Sequence, residues 1–228
     1  MTPQDAAKKA AAEAACAHVR EDTIVGLGTG STADYAVKHL GERVEQGLRI
    51  RGVPTSLRTE KLAREVGIPL VELDDVEEID VTIDGADEVD KQLDLIKGLG
   101  GALLREKIVA SLTKRQIIVV DPSKLVDKLG TRSPLPVEVL PFGAKVVERR
   151  LVKLGMKPTI RAKDGKPVVT DNGNLVLDVR FVEGIGAPQK LETELNNIPG
   201  VVENGLFLGM TWRVVVGEAD GKVREITK

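Results

Sequence analysis

Short apolar runs alternate with helical patterns along the first half of the chain, and this alternation limits the folds that the sequence can adopt. Five runs have the length and composition of strands: 23–27, 49–53, 69–73, 79–83 and 116–120. Four segments have the apolar spacing of helices: 4–20, 33–46, 59–66 and 101–114. Strands that alternate with helices in this way predict an α/β fold with a mostly parallel, doubly wound, Rossmann-like sheet.

The sequence changes in character after residue 130, with three prolines between residues 134 and 141. The elements predicted beyond this point are strand 137–140, helix 143–154, strand 157–161, a strand or hairpin over 167–179, helix 188–197 and strand 201–208. Their β-α-β-β-α-β order predicts a smaller α+β, ferredoxin-like domain. Strand-like segments at 211–216 and 222–226 can return to the first domain. We therefore predict an α/β catalytic domain over 1–130 plus 205–228 and a ferredoxin-like domain over 131–204.

The charge balance gives no electrostatic case for binding nucleic acid or an anionic membrane. Lys plus Arg number 33 and Asp plus Glu number 35, for a formal net charge of −2. No apolar run approaches the roughly 18 residues of a membrane span, and the N-terminus lacks an apolar signal core. We therefore expect a cytoplasmic protein. Cys16 is the only cysteine, so no intramolecular disulfide can form, and we expect it to be a small buried hydrophobe.

The segment G-L-G-T-G-S-T (26–32) lies between a predicted strand and the start of a predicted helix. Its glycines let the backbone approach an anion, and helix N-terminal N–H groups attract negative charge. The hydroxyls of Thr29, Ser31 and Thr32 suit a phosphate monoester. Two other interpretations stay open. The segment can be a tight turn with a Ser/Thr helix cap, or a loose dinucleotide fingerprint, although R-I-R-G-V-P-T-S then lacks the required acid.

Two carboxylates follow the predicted strand 79–83. Asp84 should lie at the carboxyl end of this strand, where open α/β sheets bind ligands, and Asp87 follows after a Gly-Ala turn. The alternative is a turn with two solvated acids. A metal site is disfavoured because His18 and His39 are far from the acids in the sequence and the spacing is not that of a Ca²⁺ loop.

Lys97 and Glu106 are nine residues apart, and the glycine-rich turn 98–101 lies between them. An ammonium group beside carboxylates can stabilise an oxyanion in a water-poor pocket. Glu106 falls on a predicted helix whose apolar stripe, Leu104, Ile108 and Leu112, turns it away from the core. Without the surrounding motif, Lys97 would be interpreted as a surface lysine and Glu106 as part of a solvated helix face.

Three further lysines are potential phosphate ligands. Lys8 and Lys9 lie on the Ala-rich first helix, and the sequence does not decide between them. Lys124 follows another predicted strand end. Lysines are usually solvated, so these residues depend on their position for a functional interpretation.

Six blocks occur in an order that resembles type A ribose-5-phosphate isomerases over nearly the whole chain. They are G-T-G-S-T, D-G-A-D-E, K-G-L-G-G-A-L-L-R-E-K, P-L-P-V-E-V, T-D-N-G-N-L-V-L-D-V and N-I-P-G-V-V-E-N-G-L-F. One such block is weak evidence, but their shared order is specific. The chain departs from the family at Leu99, where glycine is frequent.

This resemblance implies an isomerase that interconverts ribose 5-phosphate and ribulose 5-phosphate through an enediol or enediolate, without a cofactor or metal. It implies that Glu106 is the proton acceptor, that Lys97 stabilises the developing oxyanion, and that Asp84 and Asp87 handle hydroxyl protons. It implies a homodimer or a dimer of dimers, with a sugar phosphate rather than nucleic acid or membrane as the ligand. The matching substrate-binding residues are Thr29, Gly30, Ser31, Thr32, Gly85, Ala86, Gly98, Leu99, Gly100, Lys124 and Lys8.

Two other function classes remain to be tested. A non-catalytic sugar-phosphate sensor would keep the phosphate-binding segment without needing Lys97 and Glu106, but would normally carry a DNA-binding module, and no basic helix-turn-helix is evident. An NAD(P)-dependent enzyme would need the acidic residue that is missing after the second strand.

Overall fold

The structure, a computed structural model, describes residues 2–227. The chain forms two compact units. The first comprises Met1–Ala86, Arg105–Leu125 and Gly209–Lys228, and the second comprises Asp87–Leu104 and Val126–Leu208. These units divide the chain at points other than the predicted boundaries, because strands within 87–104 pair with strands of the second unit.

Six α-helices and fifteen strands occur among residues 2–227. They are α1 (Pro3–Cys16), β1 (Thr23–Leu27), α2 (Ala33–Glu45), β2 (Ile50–Pro54), α3 (Leu57–Glu65), β3 (Val81–Asp84), β4 (Glu88–Val89), β5 (Leu95–Ile96), α4 (Leu103–Ser111), β6 (Gln116–Val120), β7 (Leu135–Val139), α5 (Ala144–Lys153), β8 (Lys157–Ile160), β9 (Ala162–Lys163), β10 (Lys166–Pro167), β11 (Leu175–Arg180), α6 (Pro188–Asn196), β12 (Val201–Asn204), β13 (Leu206–Phe207), β14 (Thr211–Gly217) and β15 (Val223–Thr227). Within that range, none of the helices combines the length and the apolar character needed to cross a bilayer.

The first unit is built on a six-stranded sheet in the order β15-β14-β6-β3-β1-β2. All neighbours are parallel except β14 and β15. Counted in chain order, the five parallel strands lie in the 2-1-3-4-5 order of a doubly wound sheet, whose direction of winding changes between β1 and β3. The predicted Rossmann-like sheet is therefore confirmed, as is the return of the last two strands to this unit.

Helix α1 packs closely on this sheet because its buried face is made of small residues. Ala11 and Ala15 are fully buried, and a Cβ atom on Gly217 of β14 would lie 1.9 Å from the Ala7 carbonyl oxygen. Cys16 belongs to the same core, and burial raises the pKa of its thiol to about 12. Cys16 is therefore the buried hydrophobe that its sequence context predicts.

Polar residues alternate with apolar ones in and before β3, which is unusual for a strand buried on both faces. The Asp80 carboxylate accepts a hydrogen bond from the Ile24 N–H at 2.9 Å. The hydroxyls of Thr82 and Thr113 lie 2.7 Å apart, and Gly26 leaves room for Thr82, because a Cβ there would lie 2.0 Å from its hydroxyl oxygen. Each buried polar group thus has a partner, which removes the penalty of burying it.

The second unit contains a four-stranded antiparallel sheet in the order β12-β7-β11-β8. With α5 and α6 it gives the predicted β-α-β-β-α-β order, so the ferredoxin-like domain is confirmed. Val147 and Leu151 of α5 and Leu195 of α6 are fully buried with Val137 and Leu177 of the sheet. Burial of each such side chain stabilises the unit by roughly 1.5–3 kcal/mol.

Two predicted strands are wrong in detail. Residues 69–73 form no strand; Leu70 makes one isolated bridge to Gly52 and a 3₁₀ turn follows. The segment 201–208 is two strands in two different sheets. It divides at Gly205, where a Cβ would lie 2.4 Å from the Lys97 carbonyl oxygen, so the close approach of another chain segment, and not the local apolar pattern, ends the first strand.

Candidate active site

The loops that follow the parallel strands of the first unit carry most of its predicted site residues. Gly28 follows β1, Thr55 follows β2, Asp84 ends β3 and Asp121 follows β6. Because parallel strands end at one edge of a sheet, these residues lie along the carboxyl edge, and β1 and β3 are the strands between which the winding changes. Doubly wound sheets bind ligands at this point.

The Asp84 carboxylate anchors the phosphate loop, which we define as residues 28–32. Its Oδ1 accepts hydrogen bonds from the Thr29 N–H at 3.0 Å and the Gly85 N–H at 2.7 Å. Asp84 is fully buried, and a Cβ on Gly28 would lie 2.3 Å from Oδ1, so only glycine fits there. The alternative of a solvated acidic turn is therefore wrong for Asp84.

A cluster of hydroxyls fixes the other side of the phosphate loop. The Thr29 hydroxyl lies 2.8 Å from the hydroxyls of Thr55 and Ser56 and 3.0 Å from that of Thr59. Thr59 in turn donates to the Gly28 carbonyl at 3.0 Å. The Thr29 side chain thus shapes the loop from inside, while Thr55 and Ser56 occupy the place where a dinucleotide fingerprint would need an acid.

The outer part of the phosphate loop has the features of an anion site. Gly30 has a φ of +124°, which lets the chain turn into α2, and Ser31 is exposed. Thr32 immediately precedes α2, yet in the described part of the chain its side chain makes no capping hydrogen bond. The interpretation as a capped tight turn is therefore wrong, and the N-terminus of α2 lies beside the hydroxyls of Ser31 and Thr32.

Lys124 lies in a short turn that Asp121 holds in place. The Asp121 Oδ1 accepts hydrogen bonds from the N–H and hydroxyl of Ser123 at 2.9 and 2.5 Å. Burial raises the pKa of the Asp121 carboxyl, but Ser123, the nearby Gln4 side chain and the Lys124 charge together hold this pKa below its usual value. Asp121 is therefore ionised at neutral pH and fixes the turn that carries Lys124.

The two N-terminal lysines differ in environment. Lys8 lies one helical turn beyond Gln4, on the same face of α1, and Gln4 approaches the Asp121 carboxylate. Lys9 instead pairs with Glu13 at 3.6 Å on the exposed face of the helix. Lys8 is therefore half-buried on the face of α1 that carries Gln4, whereas Lys9 is exposed.

Lys97, in the second unit, is buried and not a surface lysine. It is 2% exposed, its N–H donates to the Gly205 carbonyl at 2.9 Å, and its Nζ lies 5.5 Å from the centre of the Phe207 ring. The face of an aromatic ring attracts a cation, so Phe207 helps to keep the ammonium group in one position.

The glycine loop, residues 97–101, needs glycine at some positions but not at residue 99. Gly98 and Gly101 have φ angles of +106° and +81°, whereas Leu99 has a negative φ. A Cβ on Gly98 would also lie 2.9 Å from the Leu103 Cβ. Leu99 extends an exposed side chain, and its N–H donates to the Asp87 Oδ2 at 2.9 Å. The departure from the family pattern at Leu99 is thus compatible with the backbone of the loop.

Sequence reasoning missed two charged side chains that bind the backbone of loops in the second unit. Glu88 is fully buried, and its carboxylate accepts hydrogen bonds from the N–H groups of Gly130, Arg132 and Ser133 at 2.5–2.7 Å. Arg161 donates to the backbone carbonyls of the glycine loop. Glu88 lies inside the D-G-A-D-E block, so the block itself was a signal, but no pattern in the sequence connects Arg161 to the loop.

Glu106 is buried, so the alternative interpretation of this residue as part of a solvated helix face is wrong. It is 5% exposed, whereas Ile108, expected in the apolar stripe, is 42% exposed. The buried apolar residues of α4 are Leu103, Val109 and Ala110. The buried face of α4 is therefore rotated by part of a turn from the predicted apolar stripe. The Glu106 carboxylate is held out of bulk water, and burying a charged group costs free energy unless other groups compensate for it.

The predicted site residues divide between the two units. The first unit contains Lys8, Thr29, Gly30, Ser31, Thr32, Asp84, Gly85, Ala86, Glu106 and Lys124. The second contains Asp87, Lys97, Gly98, Leu99 and Gly100. The first group supplies an anion site and buried carboxylates, and the second supplies a buried ammonium group and a fixed loop.

Comparisons with known proteins agree on one family. Residues 51–221 match the sequence model of the family described as ribose 5-phosphate isomerase A (phosphoriboisomerase A). The ribose-5-phosphate isomerase A of Thermosynechococcus vestitus is 54% identical over 227 residues, which cover 96% of this chain and 95% of that protein.

Solved structures give the same result. The structure of ribose 5-phosphate isomerase A from Methanocaldococcus jannaschii is 44% identical, with a TM-score of 0.91 over 97% of this chain and 98% of the other. A structure of D-ribose-5-phosphate isomerase in complex with phospho-erythronic acid is also 44% identical, with a TM-score of 0.93 over 97% of both chains.

Proposed function

Because the chain belongs to the ribose 5-phosphate isomerase A family, we propose that the predicted residues bind and isomerise a sugar phosphate. The reaction is the interconversion of D-ribose 5-phosphate and D-ribulose 5-phosphate, an aldose–ketose isomerisation of the pentose phosphate pathway. The burial of the Glu106 carboxylate carries the assignment of residues, because buried ionisable groups are often those that perform acid–base catalysis.

The phosphate of the substrate binds at the phosphate loop. Ser31 and Thr32 offer hydroxyls, and the N-terminus of α2 offers N–H groups and a favourable dipole. Lys124 and Lys8 add positive charge from the turn after β6 and from α1. The Thr29 side chain is held in the hydroxyl cluster and its N–H is bound to Asp84, so Thr29 contributes to phosphate binding by fixing the shape of the loop.

Glu106 transfers the proton. The sugar ring opens first, with Asp84 and Asp87 accepting and returning hydroxyl protons. Glu106 then removes the proton from C2 and delivers it to C1. Asp84 and Asp87 move the hydroxyl proton of O2 to O1, so the aldehyde becomes the C1 hydroxymethyl group and C2 becomes the ketone. Lys97 stabilises the negative charge on the oxygens of the enediolate, and its burial strengthens this interaction.

The first prediction concerns the reaction and its requirements. We expect the purified protein to convert ribose 5-phosphate to ribulose 5-phosphate without NAD(P) and after dialysis against EDTA, because Lys97 supplies the electrostatic stabilisation that a metal would otherwise give. Ketose formation measures the activity. Activity that EDTA abolishes and Mg²⁺ restores would contradict the metal-free mechanism. Sugar-phosphate binding without turnover would favour a sensor, and a need for NAD(P) would favour a dehydrogenase.

The second prediction concerns the base. We expect Glu106→Gln to lower kcat by roughly 10²–10⁴-fold, the usual contribution of a general base, while phospho-erythronic acid still binds with a Kd near that of the unaltered protein. The amide keeps the shape of the side chain but cannot accept the proton. Glu65→Gln, on the exposed face of α3, is the matched control and should have normal turnover. Normal turnover in Glu106→Gln would remove Glu106 as the base.

The third prediction separates the two N-terminal lysines. We expect Lys8→Ala to raise the KM for ribose 5-phosphate roughly 10-fold or more, the effect of losing a hydrogen bond between charged groups worth about 1.5–3 kcal/mol. Lys9→Ala removes the same charge from the neighbouring position and should leave KM within about twofold, as expected for an exposed ion pair. Equal effects of the two substitutions would show that only net charge matters.

The fourth prediction concerns assembly. We propose a homodimer, supported by exposed apolar side chains around the start of α5: Phe142 is 98% exposed, Val146 59% and Leu140 47%. Exposed apolar groups of this size indicate a contact surface. Light scattering at micromolar concentration should give about twice the 24.5 kDa chain mass, and Phe142→Ser should shift this mass toward the monomer. Val182→Ser, an exposed apolar control, should not.

A monomeric mass for the unaltered protein would contradict the homodimer.

We also propose that the enzyme acts in the cytoplasm, as its sequence predicts. Recovery of the activity in a membrane or secreted fraction would contradict this location.

A further inference from the structure

The guanidinium group of Arg161 holds the glycine loop by its carbonyls. Its Nη1 donates hydrogen bonds to the Gly98 oxygen at 2.8 Å and to the Leu99 oxygen at 3.0 Å. The remaining donors bind the Asp178 carboxylate, with Nε 2.9 Å from Oδ2 and Nη2 2.5 Å from Oδ1. This two-point pair fixes the plane of the guanidinium group, so Nη1 can donate in only one direction.

The backbone around Arg161 is also fixed. Arg161 follows β8 directly, its N–H donates to the Val176 carbonyl at 2.8 Å, and its own carbonyl accepts from the Val168 N–H at 2.9 Å. Asp178 lies in β11, opposite Thr159 of β8. The Arg161–Asp178 pair therefore connects the end of β8 to β11, and the same guanidinium group also binds the glycine loop.

The T-D-N-G-N block secures the start of β11. The buried Glu138 carboxylate accepts hydrogen bonds from Thr170 at 2.9 Å, Asn174 at 2.9 Å and Asn172 at 3.3 Å. Glu138 lies opposite Val176 in the sheet, two residues before Asp178. This block, which no catalytic role explains, thus fixes the start of β11, the strand that carries Asp178.

Holding two consecutive carbonyls determines the direction of the N–H groups between and after them. A trans peptide is planar, with C=O and N–H on opposite sides. In the Gly98–Leu99 peptide, the oxygen binds Arg161 and the Leu99 N–H binds Asp87. In the Leu99–Gly100 peptide, the oxygen also binds Arg161, so the Gly100 N–H points away from Arg161. Within residues 2–227 no protein acceptor binds that N–H.

We propose that Arg161, fixed by Asp178, is a positioning residue that orients the Gly100 N–H and the adjoining Lys97 toward the oxygens of the sugar that become negative during isomerisation. This inference rests on the proposed function. The backbone N–H and the ammonium group would then donate to the enediolate together, as preorganised donors do in oxyanion holes. Arg161 and Asp178 act through the glycine loop and do not contact the substrate.

Lysine cannot replace Arg161. Lysine carries the same charge, but its single nitrogen cannot bind both Asp178 oxygens and two carbonyls in one plane. Arg161→Lys therefore tests geometry separately from charge. We expect kcat to fall roughly 10- to 100-fold, since a misplacement of about 1 Å is enough for such a loss. The inhibition constant of inorganic phosphate, which reports the phosphate loop, should change less than about twofold.

A second measurement does not depend on catalysis. In hydrogen exchange followed by mass spectrometry, a peptide that contains residues 97–104 should exchange faster in Arg161→Lys, and one that contains 28–33 should not. Asp178→Asn, which keeps the size of the side chain but removes the charge that fixes the guanidinium group, should change both readouts in the same direction. Arg180→Lys is the control, because Arg180 is exposed on β11, the strand that carries Asp178. This variant should behave as the unaltered protein.

The outcomes separate the two proposals. Unchanged kcat and unchanged exchange of 97–104 in Arg161→Lys would overturn the inference, as would a lower Tm with normal kcat well below that temperature. Absence of isomerase activity in both the unaltered protein and Arg180→Lys would overturn the proposed function. In that case faster exchange of 97–104 would still support the contact of Arg161 with the loop, and unchanged exchange would contradict it.

Discussion

The hydrogen bonds of the Asp84 carboxylate join the ends of the two strands between which the winding of the sheet changes. One oxygen, Oδ1, accepts the N–H of Thr29 after β1 and the N–H of Gly85 after β3. Hydrogen bonds to a charged acceptor stabilise by about 1.5–3 kcal/mol each, and their fixed geometry gives the phosphate loop a single shape before any ligand arrives. The shape of the phosphate loop therefore depends on this buried carboxylate.

The other acids of the D-G-A-D-E block act on further loops in the same way. Asp87 accepts the Leu99 N–H of the glycine loop, and Glu88 accepts three N–H groups of residues 130–133. Glu88 is fully buried, and removing its carboxylate would leave three N–H groups without their acceptor, which is destabilising. One pentapeptide thus anchors three loops, so the loss of activity on replacing Asp84 or Asp87 would combine lost chemistry with lost loop geometry.

The fold could be predicted from sequence because its signals are local: strand and helix periods, and the order of elements after residue 130. The failures have tertiary causes. The strand over 201–208 divides at Gly205, where the Lys97 carbonyl approaches, and no neighbouring residue indicates this. The face of α4 was misjudged because the apolar residues Leu104 and Ile108 resemble a core stripe, whereas the fold buries Leu103 and Glu106. The site blocks could be predicted by resemblance, but the contact of Arg161 with a loop more than sixty residues earlier could not.

Leu99 shows why the glycine loop tolerates a side chain at one position and not at another. A loop that presents N–H groups to a substrate must turn sharply, which requires the positive φ angles of Gly98 and Gly101. Between them the chain can take an ordinary conformation, provided that both polar groups of residue 99 are bound, and Asp87 and Arg161 bind them. The shape of the loop therefore comes from its two flanking glycines and from acceptors and donors outside it, so a larger residue at position 99 changes the surface of the loop and leaves its backbone in place.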